Sequence, residues 1–517
     1  MKKWCPKGVL YLRKMFVRKK QNKSGLISIQ VIDKSTGKYK LVKTVGSSAD
    51  IVEVDALFKQ GQAYIKKHKG QVEFDFSNAD EMFSQFMAGI KQVNVVGSEL
   101  LLGKIFDEIG FNEIKDEIFK KLVIARLCFP ASKLKTTDYL RQYQSYIIDE
   151  DKVYRYLDKL HNTQKEQVQQ ISYQHTLKIL HNNISIVFYD VTTLYFEIES
   201  EDELRKTGFS KEGKHQHPQI VLGLLVSVDG YPLAYDIFEG NRFEGHTMLP
   251  MINAFREKYN LKQLVIIADS GLLSKDNITA LQTKGYEYIL GARIKNESQQ
   301  IKQQIIAMAF KNGQSHIITK DEQTRIIISY SEARAKKDRA NRERGLQKLE
   351  KQIRTGKLTK ANINNKGYNK YLKLEGELKI SIDKQKYEQD ARWDGLKGYI
   401  TNTRLSKEDI IDNYNHLWKI EKAFRIAKTD LKIRPVYHQL QCRIEAHICI
   451  AFVAYKVYKE LERQLKQLNS KLSPEKAIEI AKTIYSIKGL KPISNEEINQ
   501  ILILNNEQKC LAELFKF

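Results

Sequence analysis

Apolar and polar residues alternate along 9–45, in YLRKMFVRKK, LISIQVID and KYKLVKTVG, with turn formers between them from Asn22 to Gly25 and from Ser35 to Gly37. A period of two with such punctuation predicts a small β-meander. A helix is expected from about 50 to 68, and 98–182 carries helical spacing, as in SELLLGKIFDEIG and QKEQVQQISYQHTLKIL. Phe129–Pro130 breaks that stretch, with Ser132 placed to cap the next helix. At 184 the pattern changes to a β-branched and aromatic run, ISIVFYDVTTLYF, which predicts a buried strand. A hairpin turning at Asp229–Gly230 follows, then a helix near 246–259, the short strand QLVIIAD, a helix over 274–284 and the strand YEYILGARI. Residues 184–294 therefore read β-β-β-α-β-α-β, a mixed α/β arrangement.

The rest of the pattern is interrupted, then helical. In 295–400 short strands (TRIIISY, KYLKL, LKISID, KGYITNT) bracket a charged helical stretch at 331–354. LSKEDIIDNYNHLWKIEKAFRIAKTDL reads as one helix from Ser406, its N-cap, to a stop at Arg434–Pro435. A second long helix, RIEAHICIAFVAYKVYKELERQL, is strongly apolar in its first half. The divisions expected are 1–70 (basic β-meander plus helix), 71–183 (mostly helical), 184–294 (first part of the core), 295–400 (β-rich insertion), 401–470 (helical completion of the core) and 471–517 (helical C-terminal tail).

Composition narrows the classes. The chain has 517 residues, enough for several domains, with 42% hydrophobic residues, 8 prolines and 27 glycines, which excludes global disorder and fibrous architecture. No apolar run approaches the ~18 residues of a membrane span, and the start lacks the apolar core of a signal peptide. Cys5, Cys128, Cys442, Cys449 and Cys510 are scattered, which fits neither a disulfide framework nor a zinc site; a reducing cytoplasm is the expected setting. The 86 Lys and Arg against 62 Asp and Glu leave a net charge of +24. Residues 1–49 hold 13 basic residues and one acid (Asp33), and 331–373 hold 14 and four, so these two segments carry 22 of the 24 excess charges. A compositional drift would spread the excess; its concentration points to a polyanion, nucleic acid above all.

Three acids stand out. Asp190 lies at the end of ISIVFY, Asp269 at the end of LVIIA, and Glu421 within the helix after 406. An acid at the end of a buried strand is costly unless something compensates it. Two on one sheet can share divalent cations, which take oxygen ligands, and a third from a neighbouring helix would complete a site for phosphoryl chemistry. Read singly, each has a plainer role: a strand-end Asp forms turns or caps a helix, and a helical Glu is commonly solvated. Tyr414, Glu421 and Lys428 are spaced by seven, which on a continuous helix returns them to one stripe within ~20°. His438 and His447 lack the i, i+4 spacing of a helical zinc pair and are given no metal role.

These residues resemble the DDE transposases of bacterial insertion sequences, in the group with the Tyr-Arg-Glu-Lys signature. The signature Tyr-x2-Arg-x3-Glu-x6-Lys falls on Tyr414, Leu417, Glu421 and Lys428, so leucine replaces the arginine; Arg425, one turn beyond Glu421, is the nearest substitute. YDVTTLYFE (Tyr189 to Glu197), DGYPLAYDIFEGNRFEG (Asp229 to Gly245), ADSGLLSKDNI (Ala268 to Ile278) and LWKIEKAFRIAKTDLKIRPVYH (Leu417 to His438) are similar to motifs of a longer-element subgroup, and their order is right.

The resemblance implies an α/β fold with an RNase H-like catalytic core, interrupted by a mostly β insertion. It makes Asp190, Asp269 and Glu421 the catalytic and metal-binding triad for two Mg²⁺ ions, with Mn²⁺ as a substitute. Expected DNA contacts are Tyr414, Lys428, Arg425, Arg293, Lys295 and, as a base-stacking aromatic, Trp393, which would equally serve as packing. The implied reaction hydrolyses a phosphodiester at the element end and joins the freed 3′-OH to target DNA. Partners are double-stranded DNA (terminal inverted repeats and target) and a second copy in a homodimer, with no membrane, in the bacterial cytoplasm at the nucleoid. The N-terminal β-then-helical region would recognise the ends, and 71–183 would bind DNA or dimerise. Two other readings stand beside this one: a metal-dependent nuclease on the same core without strand joining, and a non-catalytic DNA-binding derivative.

Overall fold

The computed structural model describes residues 15–68, 79–198, 200–210, 213, 215–375, 379–434, 436–491, 494 and 496–517. The chain divides into two compact units, one drawn from the residues up to Lys91 together with Gly489–Ile498, the other from Gln92–Lys488 and Asn499–Phe517.

In the first unit the alternating segments form an antiparallel sheet in the order β1 (Met15–Gln21), β2 (Ile27–Asp33), β3 (Lys40–Ser48), followed by α1 (Ile51–His68) and α2 (Ala79–Ala88). The apolar positions of the pattern, Ile29, Val31 and Ile32 of β2 and Val54 of α1, are the buried ones. Lysines stay on the rim: the Lys19 ammonium pairs with Asp55 at 2.7 Å and lies over the Phe58 ring. The start of the expected meander, residues 9–14, lies outside the described residues.

The next elements are β4 (Ile90–Val95) and five helices: α3 (Lys104–Ile109), α4 (Glu117–Cys128), α5 (Lys133–Gln144), α6 (Glu150–Thr163) and α7 (Lys165–Ile179). Ser132 caps α5, accepting from the Lys135 amide, as the sequence implied. Then come β5 (Ile186–Tyr195), β6 (Gln219–Ser227), β7 (Pro232–Glu239), α8 (Met248–Tyr259), β8 (Val265–Ala268), α9 (Lys275–Thr283) and β9 (Glu287–Ala292), the expected order. They continue into α10 (Gln299–Ala307), β10 (Ser315–Thr319), β11 (Arg325–Tyr330), α11 (Glu332–Arg354), β12 (Leu372–Glu375), β13 (Lys379–Ile382), α12 (Lys384–Ala391) and β14 (Leu396–Thr401). The chain closes with α13 (Lys407–Asn415), α14 (Trp418–Thr429), α15 (Gln441–Gln467), α16 (Pro474–Ala481), β15 (Tyr485–Leu490), β16 (Glu497–Leu502) and α17 (Asn506–Phe515).

An eight-stranded mixed sheet organises the second unit, in the order β10-β11-β14-β9-β8-β5-β6-β7. β5, β8 and β9 run parallel to one another, and the outer pairs are antiparallel. Side chains alternate across it. Phe188, Leu194, Ile267 and Ile289 face a layer holding Ile420 and Phe424 of α14 and the apolar half of α15. Tyr189, Val191, Ile266 and Leu290 face α8 and α9.

The structure corrects three expectations. The strands of 295–400 do not make a separate β insertion: β10, β11 and β14 extend the core sheet, and only α11, α12 and the small β12–β13 pair stand apart from it. Strand-strength sequences pair wherever an edge is open, and β9 offers that edge to β14. The helix expected over 406–430 is two helices. Between them the Leu417 amide donates to Tyr414 O at 3.0 Å and the Lys419 amide to His416 O at 2.9 Å, a tight turn that redirects the axis. α14 ends at Thr429 rather than at Arg434, and Pro435 is outside the described residues. The tail is not all helical, since β15 and β16 are neighbouring strands of one sheet. Among the described residues no helix is long and apolar enough to cross a membrane.

Candidate active site

The two aspartates are neighbours by register. β5 and β8 are parallel with Tyr189 opposite Ala268, so Asp190 and Asp269 each come one residue later, on strands roughly 4.8 Å apart. Alternation sends both to the face covered by α14, because Phe188 and Ile267, two residues earlier, point there. Glu421 is exposed on α14, whose buried positions Ile420, Ala423 and Phe424 fasten the helix to that face. Three carboxylates from distant positions thus collect on one side of one sheet.

A cleft of about 660 Å³ opens there, lined among others by Asp269, Gly291, Arg293, Trp393, Lys397, Tyr414 and Glu421. Tyr414 reaches it from α13, which packs on β8 and β9, and donates its hydroxyl to Asp269 Oδ1 at 3.3 Å. Burial, with the charge of Asp269 next, pushes the Tyr414 phenol well above its ordinary range, so it stays a proton donor. The helix break is what makes this possible, since Tyr414 and Glu421 reach the same cleft from two different helices. The other Asp269 oxygen contact is local: its Oδ1 also accepts from the Ser270 amide at 2.6 Å, capping the short turn Ser270–Leu272. The plainer role of a strand-end Asp is therefore present alongside the cleft position. Asp190, half-buried, accepts from the Val191 amide at 2.8 Å.

Lys397, Arg334 and Trp418 also line the cleft, and the sequence pattern had not marked them. Lys397 lies over the Tyr414 ring at 4.5 Å; burial pulls its ammonium down, then Arg334 does, while Asp269 and Glu421 pull it up. Its signal in the sequence is faint, a lysine in an otherwise apolar strand, KGYIT. Trp418 is 53% exposed beside Glu421. Trp393 lines the cleft too and packs against the α8/α9 side of the core. Arg293 lines the cleft, and the Lys295 ammonium there is closely paired with Asp390. Arg425 and Lys428 follow Glu421 along α14, beyond the residues that line the cleft.

The donor chemistry suits a hard divalent cation, since all three candidate ligands are carboxylates. Among the described residues, no three Asp, Glu, His or Cys side chains stand close enough together to hold an ion as they are placed. The carboxylates share a face without sharing a coordination sphere.

A sequence model of the transposase DDE domain matches residues 181–456, more than half of the chain, from just before β5 into α15. The chain belongs to the transposase DDE-domain family. The match covers all three acids of this transposase domain and the cleft, which Asp269 and Glu421 line and Asp190 does not. Two solved structures are similar at a low level. The piggyBac transposase synaptic complex with hairpin DNA is 9% identical, with a TM-score of 0.37, over 75% of this chain and 78% of that one. The Mos1 transposase paired-end complex with left transposon end is 10% identical, with a TM-score of 0.15, over 34% of this chain and 58% of that one. Both scores are too low to carry topology or chemistry across. No curated protein matches the chain in sequence.

Gly291 sets the closeness of the cleft floor. A Cβ there would lie 2.4 Å from the Tyr414 hydroxyl oxygen and 3.0 Å from the Ser270 amide nitrogen. Gly291→Ala is expected to push Tyr414 off Asp269 and cost about 1–3 kcal/mol of stability, read as a lower denaturant midpoint.

Proposed function

We propose that the protein is the DNA transposase of a bacterial insertion sequence, of the Tyr-Arg-Glu-Lys group and its longer-element subgroup. It binds terminal inverted repeats, cuts phosphodiesters at the element ends and joins the 3′-OH to target DNA, as a homodimer on DNA at the nucleoid. The observation that carries this reading is the placement of Asp190 and Asp269 at adjoining register on parallel strands, with Glu421 across the cleft from Asp269. The mixed sheet bearing both aspartates supports an RNase H-like core.

Asp190, Asp269 and Glu421 would hold two Mg²⁺ ions, or Mn²⁺ in their place. Bound there, the ions supply charge that activates an attacking oxygen and stabilises a leaving one. The chain's own groups position and neutralise. Tyr414 holds the Asp269 carboxylate in one rotamer through its hydroxyl. Lys397, Arg334 and Arg293 place positive charge along the cleft for the phosphate backbone. Lys295 joins them only when its pair with Asp390 opens. Trp393 and Trp418 offer ring faces to an unpaired base. The basic β1–β3 sheet and α1 would contact end DNA, with strong salt dependence.

The test uses duplexes carrying the DNA that flanks the gene. Mg²⁺-dependent cleavage, abolished by EDTA and restored by Mg²⁺ or Mn²⁺, is expected, followed by joining of pre-cleaved ends to a plasmid. Cleavage without joining would replace this reading with that of a nuclease, and binding without either would leave a non-catalytic DNA-binding protein.

A further inference from the structure

A second cavity in the same unit, of about 690 Å³, carries no acid among the residues that line it. Its wall is built from the start of α5, the end of α4, the segment after α14 and the start of α15, and it includes Arg126, Lys133, His438 and His447. Lys133 and Arg126 are only 4% and 5% exposed. Lys133 is the first residue of α5, at the positive end of the helix dipole, the least favourable place for a buried ammonium. Among the described residues it has neither an ion-pair partner nor a hydrogen-bond acceptor. Arg126 has one long contact, from Nη1 to Leu431 O at 3.5 Å. His447 uses Nε2 on Ile433 O at 2.9 Å, and its buried Nδ1 has no partner.

Neighbouring acids are already engaged. Asp158 takes two bonds from Arg443, at 2.8 and 3.0 Å, and Glu479 pairs with Lys482 at 2.7 Å. The residual field is cationic. Burial brings Arg126 down to about 10 and Lys133 well below its ordinary range, with the Arg126 charge the next influence on Lys133. Burial and then these same cations lower both histidines, His438 to about 3. Desolvated cations without a counter-charge cost several kcal/mol, and an anion seated on the α5 amides would offset that. At the mouth, Phe129 and Tyr437 are 41% and 69% exposed, aromatic faces beside cations, the pairing that suits nucleic acid.

We infer that this cavity is a second DNA-contact site, in which a backbone phosphate seats on the α5 N-terminus between Lys133 and Arg126, with Tyr437 against an adjacent sugar or base. This rests on the transposase reading. α14 joins the two sites: Glu421 lies near its start, and Lys432 and Arg434 of the second cavity follow its end, which is roughly 12 Å from Glu421 along the axis. A strand of DNA leaving the cleft that holds Asp269 and Glu421 has this pocket within reach.

The test measures binding of a fluorescent duplex by anisotropy across a salt series, and melting temperature with and without inorganic phosphate, for the full chain and two variants. Lys133→Met is expected to bind DNA about tenfold more weakly, with a log K against log salt slope smaller by about 0.9, while its unliganded melting temperature is unchanged or higher. Tyr437→Ala, at an exposed position, is expected to weaken binding with the slope unchanged. Wild-type affinity and slope in both variants would overturn the proposal and leave the transposase reading standing. Phosphate stabilisation lost in Lys133→Met with DNA binding intact would assign the pocket to a small phosphate ligand instead and overturn the DNA contact. Absence of DNA binding by the wild-type protein would remove the transposase reading itself.

Discussion

Asp190→Asn is expected to lower end cleavage by roughly 10³-fold or more while leaving DNA binding within about twofold of wild type. The change is nearly isosteric. The asparagine oxygen can still accept from the Val191 amide, so β5 keeps its local bond, and the strand keeps its pairing with β6 and β8. What is lost is one negative charge on the sheet, next to the strand that leads into Asp269. Phosphoryl transfer depends on positioning and charge neutralisation, so removing a ligand for a divalent ion removes several kcal/mol of transition-state stabilisation. Asp269→Asn and Glu421→Gln are expected to do the same. Asp269→Asn keeps an oxygen for Tyr414 and for the Ser270 amide, so its loss of activity would report charge rather than a collapsed turn. Cleavage assays with Mg²⁺ and anisotropy on the same duplex read the two quantities separately. An Asp190→Asn protein that cuts within about threefold of wild type would remove Asp190 from the chemistry.

Glu460→Ala is expected to destabilise the second unit by about 3–5 kcal/mol, the cost of breaking a buried ionic group by removing one partner. Glu460 sits on α15 with its side chain 2% exposed. It accepts from the Tyr231 hydroxyl at 2.9 Å, from Arg463 Nε at 2.9 Å and from Gln464 at 3.0 Å, and His175 stands 3.8 Å away. It is also the charge that favours the protonated form of Lys456, a fully buried lysine whose ammonium donates to Ser172 O at 3.0 Å and lies over the Tyr231 ring. Alanine would leave the Tyr231 hydroxyl without this acceptor and Lys456 without the compensating charge.

The same cluster sets the acid limb of stability. Burial, then the charge of Lys456, pulls His175 down to about 3 from its ordinary 6.5, so it stays neutral in the fold. Below pH 6.5 the unfolded chain binds a proton that folded His175 refuses, and stability falls from there toward pH 3. Glu462 is held down to about 2 against burial by Lys422 and Lys459, and Glu460 is also lowered, against burial, by Arg463 and Gln464. Their contribution is complete above the ordinary carboxylate value of 4.5 and fades as pH drops below it. Urea midpoints across this range should decline on lowering the pH, and in Glu460→Ala the decline below pH 4.5 should be shallower.

What could be read along the chain was whatever depends on near neighbours. The apolar runs in 184–294 marked β5 through β9 because a strand buried on both faces must be apolar almost throughout, and Asp190 and Asp269 then stood out as acids that follow such runs. Ser132 and Ser406 announced their helices because capping is a bond within three residues. Tertiary structure decided the rest. Whether KGYIT belongs to an insertion or to the core depends on the free edge of β9, more than a hundred residues earlier. Tyr414 and Glu421 meet in the cleft because the backbone turns at Leu417 and sends α13 to β8 and α14 to β5, which a seven-residue spacing on a straight helix does not describe. Lys397, Arg334 and the desolvated pair Lys133 and Arg126 look like ordinary basic residues in the sequence. Lys397 and Arg334 gain their meaning from the cleft they share with Asp269 and Glu421, Lys133 and Arg126 from burial in a cavity with no lining acid, and both settings exist only when distant segments pack and exclude water.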